Sequence, residues 1–188
     1  MTFTYRFIDS PVGQLKLIAK GACLAAILWE NDRPNRVLLG AMNEDQGSEI
    51  LDQAERQLAE YFAGTRQRFD LALDFHGTEF QKKVWHALLT IPFGQTRSYL
   101  DIARQVGNPA AVRAVGAANG KNPISIVAPC HRVIGSSGAL TGFAGGLAAK
   151  ELLLTLEGCM PQRSKKHQTR AELAGSDQDG AAVLCSSP

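Results

Sequence analysis

A cysteine and a histidine stand side by side in residues 127–134, which read VAPCHRVI. Pro129 lacks a backbone N–H and fixes its own φ, so the segment can continue neither as a helix nor as a central strand. Cys130 is therefore predicted to lie on a stiff bend. A thiol attacks as its thiolate, and a neighbouring base or cation lowers the pKa of the thiol. His131 could take the proton, and Arg132 adds positive charge.

Two simpler interpretations stay open for these residues. A Cys-His pair can be a buried structural cysteine beside a chance histidine. Glu157 follows an apolar helix predicted over residues 147–156, where a carboxylate opposes the helix dipole by about 0.3–1 kcal/mol. It could be an ordinary surface glutamate. It could also orient a histidine, as the third member of a nucleophile–base–orienter set.

Composition limits the class of protein. The 188 residues, 45% hydrophobic and 20% charged, are typical of a globular protein with one good core or two small ones. The longest uncharged apolar run, residues 22–29, is far shorter than the roughly 20 residues that cross a bilayer. The first residues lack the pattern of a signal peptide. We therefore expect a cytoplasmic protein without a membrane partner.

The four cysteines, at positions 23, 130, 159 and 185, form no CxxC pair and no metal-binding spacing. This predicts free thiols in a reducing compartment and no bound metal. Cys23 is expected to serve packing, and Cys159 and Cys185 are expected to be unreactive.

Charge is divided unevenly along the chain. Residues 1–74 carry eight Lys/Arg against eleven Asp/Glu, whereas residues 75–160 carry eight against four. The positive segment also holds the Cys-His pair. This division permits a polyanionic partner for residues 75–160 but does not establish one.

Residues 1–74 are predicted to form a small α/β domain. Apolar residues alternate over residues 4–8, 15–19 and 24–29, which predicts three strands of an antiparallel sheet. Residues 31–47 are predicted to be a loop. Ser48 is predicted to cap a helix ending at Gly64, and the alternation over residues 69–75 predicts another strand.

Residues 75–160 are predicted to be mostly helical. Thr78 with Gln81, and Ser98 with Asp101, have the spacing of capping boxes at the starts of two helices. Residues 107–109 (GNP) separate the second helix from a third, and this pattern is typical of a helix-turn-helix. Any pair of antiparallel helices would give a similar pattern.

The third helix, predicted over residues 110–119, consists almost entirely of small residues with Arg113 in its first half. Small side chains let a helix approach closely, either to another helix or to a nucleic-acid groove. Arg113 could simply face solvent. If the helix binds DNA, it suits the minor groove with Arg113 as an inserted wedge, because a reader of the major groove displays more polar side chains.

These segments closely resemble the O6-alkylguanine-DNA alkyltransferases, the methylated-DNA–protein-cysteine methyltransferases. The resemblance covers about residues 1–160. The matching segments are residues 80–85 (FQKKVW), 91–99 (IPFGQTRSY), 122–123 (NP), 129–133 (PCHRV), 142–147 (GFAGGL) and Glu157. The Cys-containing pentapeptide with its ordered flanks is the specific part of the pattern.

The resemblance implies direct-reversal DNA repair. The protein would flip O6-alkylguanine, and also O4-alkylthymine, out of double-stranded DNA and transfer the alkyl group irreversibly to Cys130 in a single turnover. It implies a monomer without a cofactor, on the nucleoid when bound to DNA. Residues 75–160 would be the DNA-binding and alkyl-acceptor domain. The zinc ligands of some members are not evident here.

The resemblance also assigns catalytic roles. Cys130 would accept the alkyl group, with His131 as its base through a bridging water. Glu157 would hold His131, and Asn122 would tie the recognition helix to the active-site turn. Tyr99 would donate a hydrogen bond to the base and crowd a phosphate.

Further residues would contact DNA or line the base pocket. Arg113 would fill the gap left in the base stack. The other DNA contacts are expected from Ala114, Tyr99, Ser98 and Thr96. The pocket would consist of Val133, Phe143, Ala144 and Gly145, with the carbonyls of Cys130 and Val133 accepting from the guanine amine. Many members have tyrosine in place of Phe143 and some have serine in place of Ala144, which leaves the preferred alkyl size open.

Two other functions stay possible on the residues alone. A DNA-binding sensor would recognise alkylated bases without repairing them, although the intact Cys130 argues against it. A cysteine hydrolase would use the same Cys130 and His131 with turnover. Residues 161–188 are polar and aperiodic and are predicted to be a disordered tail.

Overall fold

Alternating apolar residues at the start of the chain form three antiparallel strands, as predicted. They are β1 (Phe3–Ile8), β2 (Leu15–Lys20) and β3 (Cys23–Trp29). Their hydrogen-bonded register pairs Thr4 with Ala19 and Leu15 with Trp29. The structure is a computed structural model, and it describes residues 2–159.

The sheet has a fourth strand that the sequence did not reveal. Strand β4 (Met42–Glu44) pairs in parallel with β1, so the strand order is β3-β2-β1-β4. The prediction of a loop over residues 31–47 and of a purely antiparallel sheet is therefore wrong here. Three residues are too few to show a period, and their strand conformation comes from the free edge of β1.

Helix α1 (Glu49–Phe62) packs on this sheet through buried residues that include Leu51, Leu58 and Tyr61. Ser48 lies at its N-cap position, but its side chain makes no capping hydrogen bond. The backbone N–H groups of Gly47 and Ser48 instead donate to the Asp45 carboxylate.

The strand predicted over residues 69–75 does not form. Only one isolated bridge, Leu24 with Leu73, joins this segment to β3. Its start is held by a side chain, since the Gln57 amide donates to the Asp70 carbonyl at 2.9 Å and accepts from the Asp70 N–H at 2.8 Å. The alternation therefore reflects an extended, partly buried segment that pairs with β3 at one residue only.

The second half is mostly helical, as predicted. Helix α2 (Glu79–Leu89), strand β5 (Arg97–Ser98) and helix α3 (Tyr99–Gln105) are followed by a 3-10 turn, Pro109–Ala111, and helix α4 (Val112–Gly120). Both capping boxes are present. Helices α3 and α4 form the predicted helix-turn-helix, with Gly107 at φ 83° in the turn.

Two elements complete the chain as far as it is described. Strand β6 (Val133–Ile134) pairs in parallel with β5, and helix α5 (Gly146–Leu156) follows. This two-residue pairing was not foreseen. It fixes the segment after Cys130 against the start of α3.

One hydrophobic core runs through both halves of the chain. It includes Leu17 and Leu58 from the first half and Trp85 and Leu153 from the second. The Ile27 N–H donates to the Pro123 carbonyl at 2.9 Å, so a backbone hydrogen bond also crosses between the halves. The division at residues 74 and 75 stays a prediction, and the predicted tail, 161–188, lies outside the described residues.

No helix between residues 2 and 159 is both long enough and apolar enough to span a membrane.

The N-cap residues of α1 and α2, Ser48 and Thr78, give a matched test of capping. The Thr78 hydroxyl accepts from the Gln81 N–H and the Gln81 side chain accepts from the Thr78 N–H, whereas the Ser48 hydroxyl makes no such bond. We expect Thr78→Ala to lower the free energy of unfolding by about 1 kcal/mol and Ser48→Ala to lower it by clearly less. Urea unfolding of both variants measures this. Equal losses would contradict the capping assignment.

Candidate active site

The bend before Cys130 is held by the side chain of a buried asparagine. Asn122, just after α4, donates from Nδ2 to the Ala128 carbonyl at 2.7 Å and accepts at Oδ1 from the Ile124 N–H at 3.1 Å. Between them, Ile126 has φ 73°, a left-handed conformation that strains a β-branched residue. Cys130 then opens a 3-10 turn that ends at Arg132. The stiff bend predicted at Cys130 is therefore present.

A buried carboxylate lies at the centre of the site. Glu157 is only 4% exposed, which the surface-glutamate interpretation does not fit. Its Oε1 accepts hydrogen bonds from His131 Nε2 at 2.8 Å, the Tyr61 hydroxyl at 2.7 Å and Arg132 Nη2 at 2.9 Å. Its Oε2 accepts from Arg132 Nε at 2.8 Å. Arg132 thus binds Glu157 bidentately, the strongest geometry for this ion pair.

These contacts determine the charges of Glu157 and His131. Burial acts to raise the pKa of Glu157, but the hydrogen bonds from His131 and Arg132 outweigh it and lower this pKa to about 2. Burial lowers the pKa of His131, against the opposing effect of Glu157. The pair is therefore an ionised carboxylate and a neutral imidazole.

The proton of the imidazole can consequently be assigned. Because the Glu157 carboxylate has no proton to donate, His131 Nε2 must carry the hydrogen and Nδ1 the lone pair. Within the described part of the chain, Nδ1 has no hydrogen-bond partner. This tautomer leaves Nδ1 able to accept a proton.

The thiol of Cys130 is protonated in the free protein. It is 2% exposed, and burial raises its pKa. Hydrogen bonds from Asn122 and Ser125 and the charges of Arg36 and Lys150 oppose that effect without overcoming it. The sequence-based expectation of a lowered thiol pKa is therefore wrong for this state, because desolvation disfavours the thiolate. A reaction of Cys130 as a nucleophile therefore requires removal of its proton.

A buried lysine holds the segment after the active-site turn. Lys150, on α5, donates from Nζ to the Val133 carbonyl at 2.6 Å and to the Thr141 carbonyl at 3.3 Å. Burial lowers its pKa to about 8. Since a carbonyl oxygen has two lone pairs, the Val133 carbonyl can still accept one further hydrogen bond.

Two of the residues predicted to line the base pocket, Phe143 and Gly145, lie against a tryptophan from the first half. Trp29, at the end of β3, packs edge-on against Phe143, with ring centroids 5.3 Å apart. The Phe143 ring also lies 6.5 Å from the His131 ring. A Cβ atom on Gly145 would come within 2.6 Å of the Trp29 ring. Phe143, the half-buried Ala144 and Gly145 therefore form a loop beside His131 whose closeness to Trp29 requires glycine.

The residues predicted to contact DNA lie on and before the helix-turn-helix. Arg113 and Ala114 are exposed on the first turn of α4. The hydroxyls of Tyr99 and Thr141 share a hydrogen bond of 2.8 Å, which joins α3 to the pocket loop. Ser98 is engaged as the N-cap of α3, and Thr96 lies half-buried just before β5.

Sequence reasoning missed several residues of the site. Trp29, Arg36 and Tyr61 reach it from the first half of the chain, and Lys150 reaches it from α5. Arg36 donates to the Asn122 carbonyl at 2.6 Å, and Arg132 is a partner of Glu157 rather than a free charge beside the thiol. One signal for such a residue was present in the sequence: Tyr61 lies on the apolar face of a predicted helix, where its hydroxyl would need a buried hydrogen-bond partner.

No group of three or more His, Cys, Asp or Glu side chains that could hold a metal ion occurs among residues 2–159.

Cys130 precedes a histidine that contacts a buried carboxylate, and the same half of the chain contains a helix-turn-helix. This combination suits a cysteine nucleophile that acts on nucleic acid. Two family models match the chain over most of its described length. Residues 3–75 match the ribonuclease-like domain of 6-O-methylguanine DNA methyltransferase, and residues 79–159 match its DNA-binding domain.

Individual relatives agree with this match. A methylated-DNA–protein-cysteine methyltransferase of Mycobacterium tuberculosis is 52% identical over 155 residues, covering 81% of this chain and 91% of the relative. One from Methanosarcina acetivorans is 47% identical over 154 residues, covering 82% and 97%. The chain belongs to the methylated-DNA–protein-cysteine methyltransferase family.

A solved structure shows the same fold. The crystal structure of Mycobacterium tuberculosis OGT in complex with DNA superposes with a TM-score of 0.77 at 49% identity, covering 85% of this chain and 96% of that one. The structural class predicted from the sequence, an α/β first half and a helical second half with a helix-turn-helix and a cysteine turn, is confirmed.

The charges assigned to His131 and Glu157 predict how stability depends on pH. Both pKa values are lower in the folded protein, so the unfolded chain binds more protons in acid. The stabilising contributions of these two groups are complete above about pH 6.5, and the His131 contribution declines first as pH falls below that value. The Glu157 contribution, worth about 3 kcal/mol over its whole window, declines from about pH 4.5 towards pH 2.

Urea unfolding between pH 7 and pH 4 should therefore give a free energy that falls continuously on acidification. ¹⁵N NMR of the His131 ring should show the neutral tautomer with hydrogen on Nε2 at pH 7. A flat stability profile over this range, or an imidazolium at pH 6.5, would contradict the assignment.

Proposed function

We propose that the protein repairs O6-alkylguanine in double-stranded DNA by moving the alkyl group onto its own Cys130, once per molecule. The observation that carries this proposal is the buried Cys130 directly before a histidine held by Glu157, in a chain of this family. O4-alkylthymine, whose alkylated oxygen is chemically similar, is proposed as a second substrate.

The transfer is a direct displacement at the alkyl carbon. Cys130 Sγ forms the S–C bond while the C–O6 bond breaks, and the electron pair of that bond goes to O6 of the leaving guanine. The thiol proton passes to His131 Nδ1, through a bridging water, and the resulting imidazolium is stabilised by Glu157. A proton returns to the departing guanine, so the overall reaction turns thiol and alkylguanine into thioether and guanine.

The position of the thiol requires a flipped base. A side chain that is 2% exposed cannot reach a base inside a duplex, so the alkylated guanine has to enter the protein. Arg113, exposed on α4, would occupy the space left in the stack, while the small Ala114 beside it would let the helix approach closely. Thr96, Ser98 and Tyr99 would position the DNA backbone, and the Tyr99 hydroxyl would exchange Thr141 for the base.

The base would be held mainly by backbone groups. The carbonyls of Cys130 and Val133 would accept from the guanine amine, Phe143 and Ala144 would limit the width of the pocket, and Gly145 would keep the loop on Trp29. Asn122 would hold the turn at the end of α4, so that α4 and Cys130 move together.

The reaction needs no cofactor and gives one product per protein. A thioether does not return its alkyl group to solvent under mild conditions, so the reacted protein would be spent. We propose that it acts as a monomer. Its location in the cytoplasm, on the nucleoid when bound to DNA, stays a prediction from the sequence.

The first test identifies the acceptor. Wild-type protein mixed with a duplex containing O6-methylguanine should gain one methyl group, on Cys130, as seen by peptide mass spectrometry. Cys130→Ala should gain none and should still bind the duplex, because the binding helix is unchanged. The matched control Cys159→Ala should react like the wild type.

Other results would favour other functions. Binding without any adduct would favour a sensor of alkylated bases, and many products per protein molecule would favour a hydrolase. Methyl found on Cys23, Cys159 or Cys185 of the wild type would overturn the assignment of Cys130.

The second test separates DNA handling from chemistry. If Arg113 stabilises the extruded base, Arg113→Ala should slow single-turnover transfer from duplex DNA by roughly 10–100-fold, on the scale of unstacking one base. Transfer from free O6-benzylguanine, which has no stack to leave, should keep its rate. Lys83→Ala removes the same charge from the exposed face of α2 and should affect neither substrate strongly.

Equal slowing of the duplex and the free base in Arg113→Ala would show that Arg113 shapes the pocket or the fold, and the wedge role would then be rejected.

A further inference from the structure

A tyrosine from the first half of the chain reaches into the hydrogen-bond chain of the active site. Tyr61 lies in the last turn of α1 and is fully buried. Its hydroxyl donates to Glu157 Oε1 at 2.7 Å, the same oxygen that accepts from His131 Nε2 at 2.8 Å. The Tyr61 hydroxyl and the His131 imidazole therefore donate to one and the same carboxylate oxygen.

Packing leaves this hydroxyl in one position. The Tyr61 ring contacts three phenylalanine rings, Phe62, Phe69 and Phe93, with centroid separations of 5.4, 5.4 and 6.2 Å. Its pKa is raised by burial and by Glu157, so the hydroxyl stays protonated and can only donate towards the carboxylate. A buried hydroxyl needs a hydrogen-bond partner, and for Tyr61 that partner is the carboxylate oxygen that also accepts from His131.

Sharing one oxygen has a definite effect on the imidazole. Each donor that stabilises the carboxylate takes up part of its charge, which leaves less to stabilise a positively charged imidazole. Glu157 is already oriented by the bidentate Arg132, so the Tyr61 hydroxyl is not needed to hold the carboxylate in place. Its remaining effect is on how strongly Glu157 favours protonation of His131.

We propose that Tyr61 is a positioning residue for alkyl transfer, which acts through Glu157 and limits the basicity of His131. The proposal rests on the proposed function, in which His131 takes the proton of Cys130. It makes α1, an element of the first half, part of the proton-transfer apparatus.

Other charged and titratable groups surround the hydrogen bonds that link Tyr61, Glu157 and His131. Glu157 is faced by Arg132 and His131 from the active-site turn and by the Gly94 N–H at 3.5 Å. Cys159, two residues after Glu157, is also within its electrostatic influence. The His131 and Cys130 side chains are also within the electrostatic influence of Lys150, and Cys130 within that of Arg36. Replacement of Tyr61 by phenylalanine leaves all of these residues in place.

The test is the pH dependence of single-turnover transfer from free O6-benzylguanine, in which DNA binding plays no part. In Tyr61→Phe the ring and its packing remain, but Glu157 loses one donor. The imidazolium is then better stabilised, so every pKa of the Cys130–His131 pair either rises or stays the same. We expect the whole pH–rate profile to move to higher pH by about half a unit to one unit.

A second replacement reverses the sign. Incorporation of 3,5-difluorotyrosine at position 61 retains the shape of the side chain and makes the hydroxyl a stronger donor, so the profile should move to lower pH. Tyr5→Phe is the matched control, because Tyr5 lies on β1 with Lys16 over its ring. This control should leave the profile where it is.

If the pH–rate profiles of both Tyr61 replacements lie at the same pH as that of the wild type, the proposal is overturned, even if the maximal rate changes. A loss of rate that is uniform at every pH would likewise show a purely structural role. If Tyr61→Phe fails to fold, the fluorinated protein alone decides the question. Mass spectrometry of the benzylated wild type, with the adduct on Cys130 or not, tests the proposed function separately.

Discussion

The carboxylate of Glu157 accepts hydrogen bonds from α1, from the active-site turn and from the loop before β5. A buried charge without partners would cost several kcal/mol, so the folded chain has to bring all of these donors to one point. Arg132 supplies the compensating charge, and His131 receives its orientation from the same contact. Folding and chemistry therefore depend on one ion, and a change that loosens it affects both.

The same contact explains why the nucleophile can be held in an uncharged state. Cys130 and His131 are neutral while Glu157 is ionised, and Arg132 binds the Glu157 carboxylate directly. A permanent thiolate–imidazolium pair would add two more charges to a desolvated pocket.

Local signals predicted much of this structure. The capping boxes, the strand alternation of β1 to β3 and the helix-turn-helix depend on residues a few positions apart. Cys130 and His131 and the possible orienting role of Glu157 were predicted from residue chemistry, whereas Asn122 was identified only through the resemblance. The short pairings of β4 with β1 and of β5 with β6 have no local period. Tyr61 and Glu157 are 96 residues apart in the sequence, and Trp29 and Ser125 are also 96 residues apart. Only packing of the two halves creates these contacts.

The contact between Trp29 and Gly145 links two positions that are far apart in the sequence. With a ring this close, residue 145 can gain a side chain only if residue 29 becomes smaller at the same time. In evolution these positions should therefore covary: an aromatic residue at 29 should accompany glycine at 145, and lineages that change one should change the other. A chimera that exchanges the two halves between distant relatives would inherit mismatched pairs at this contact.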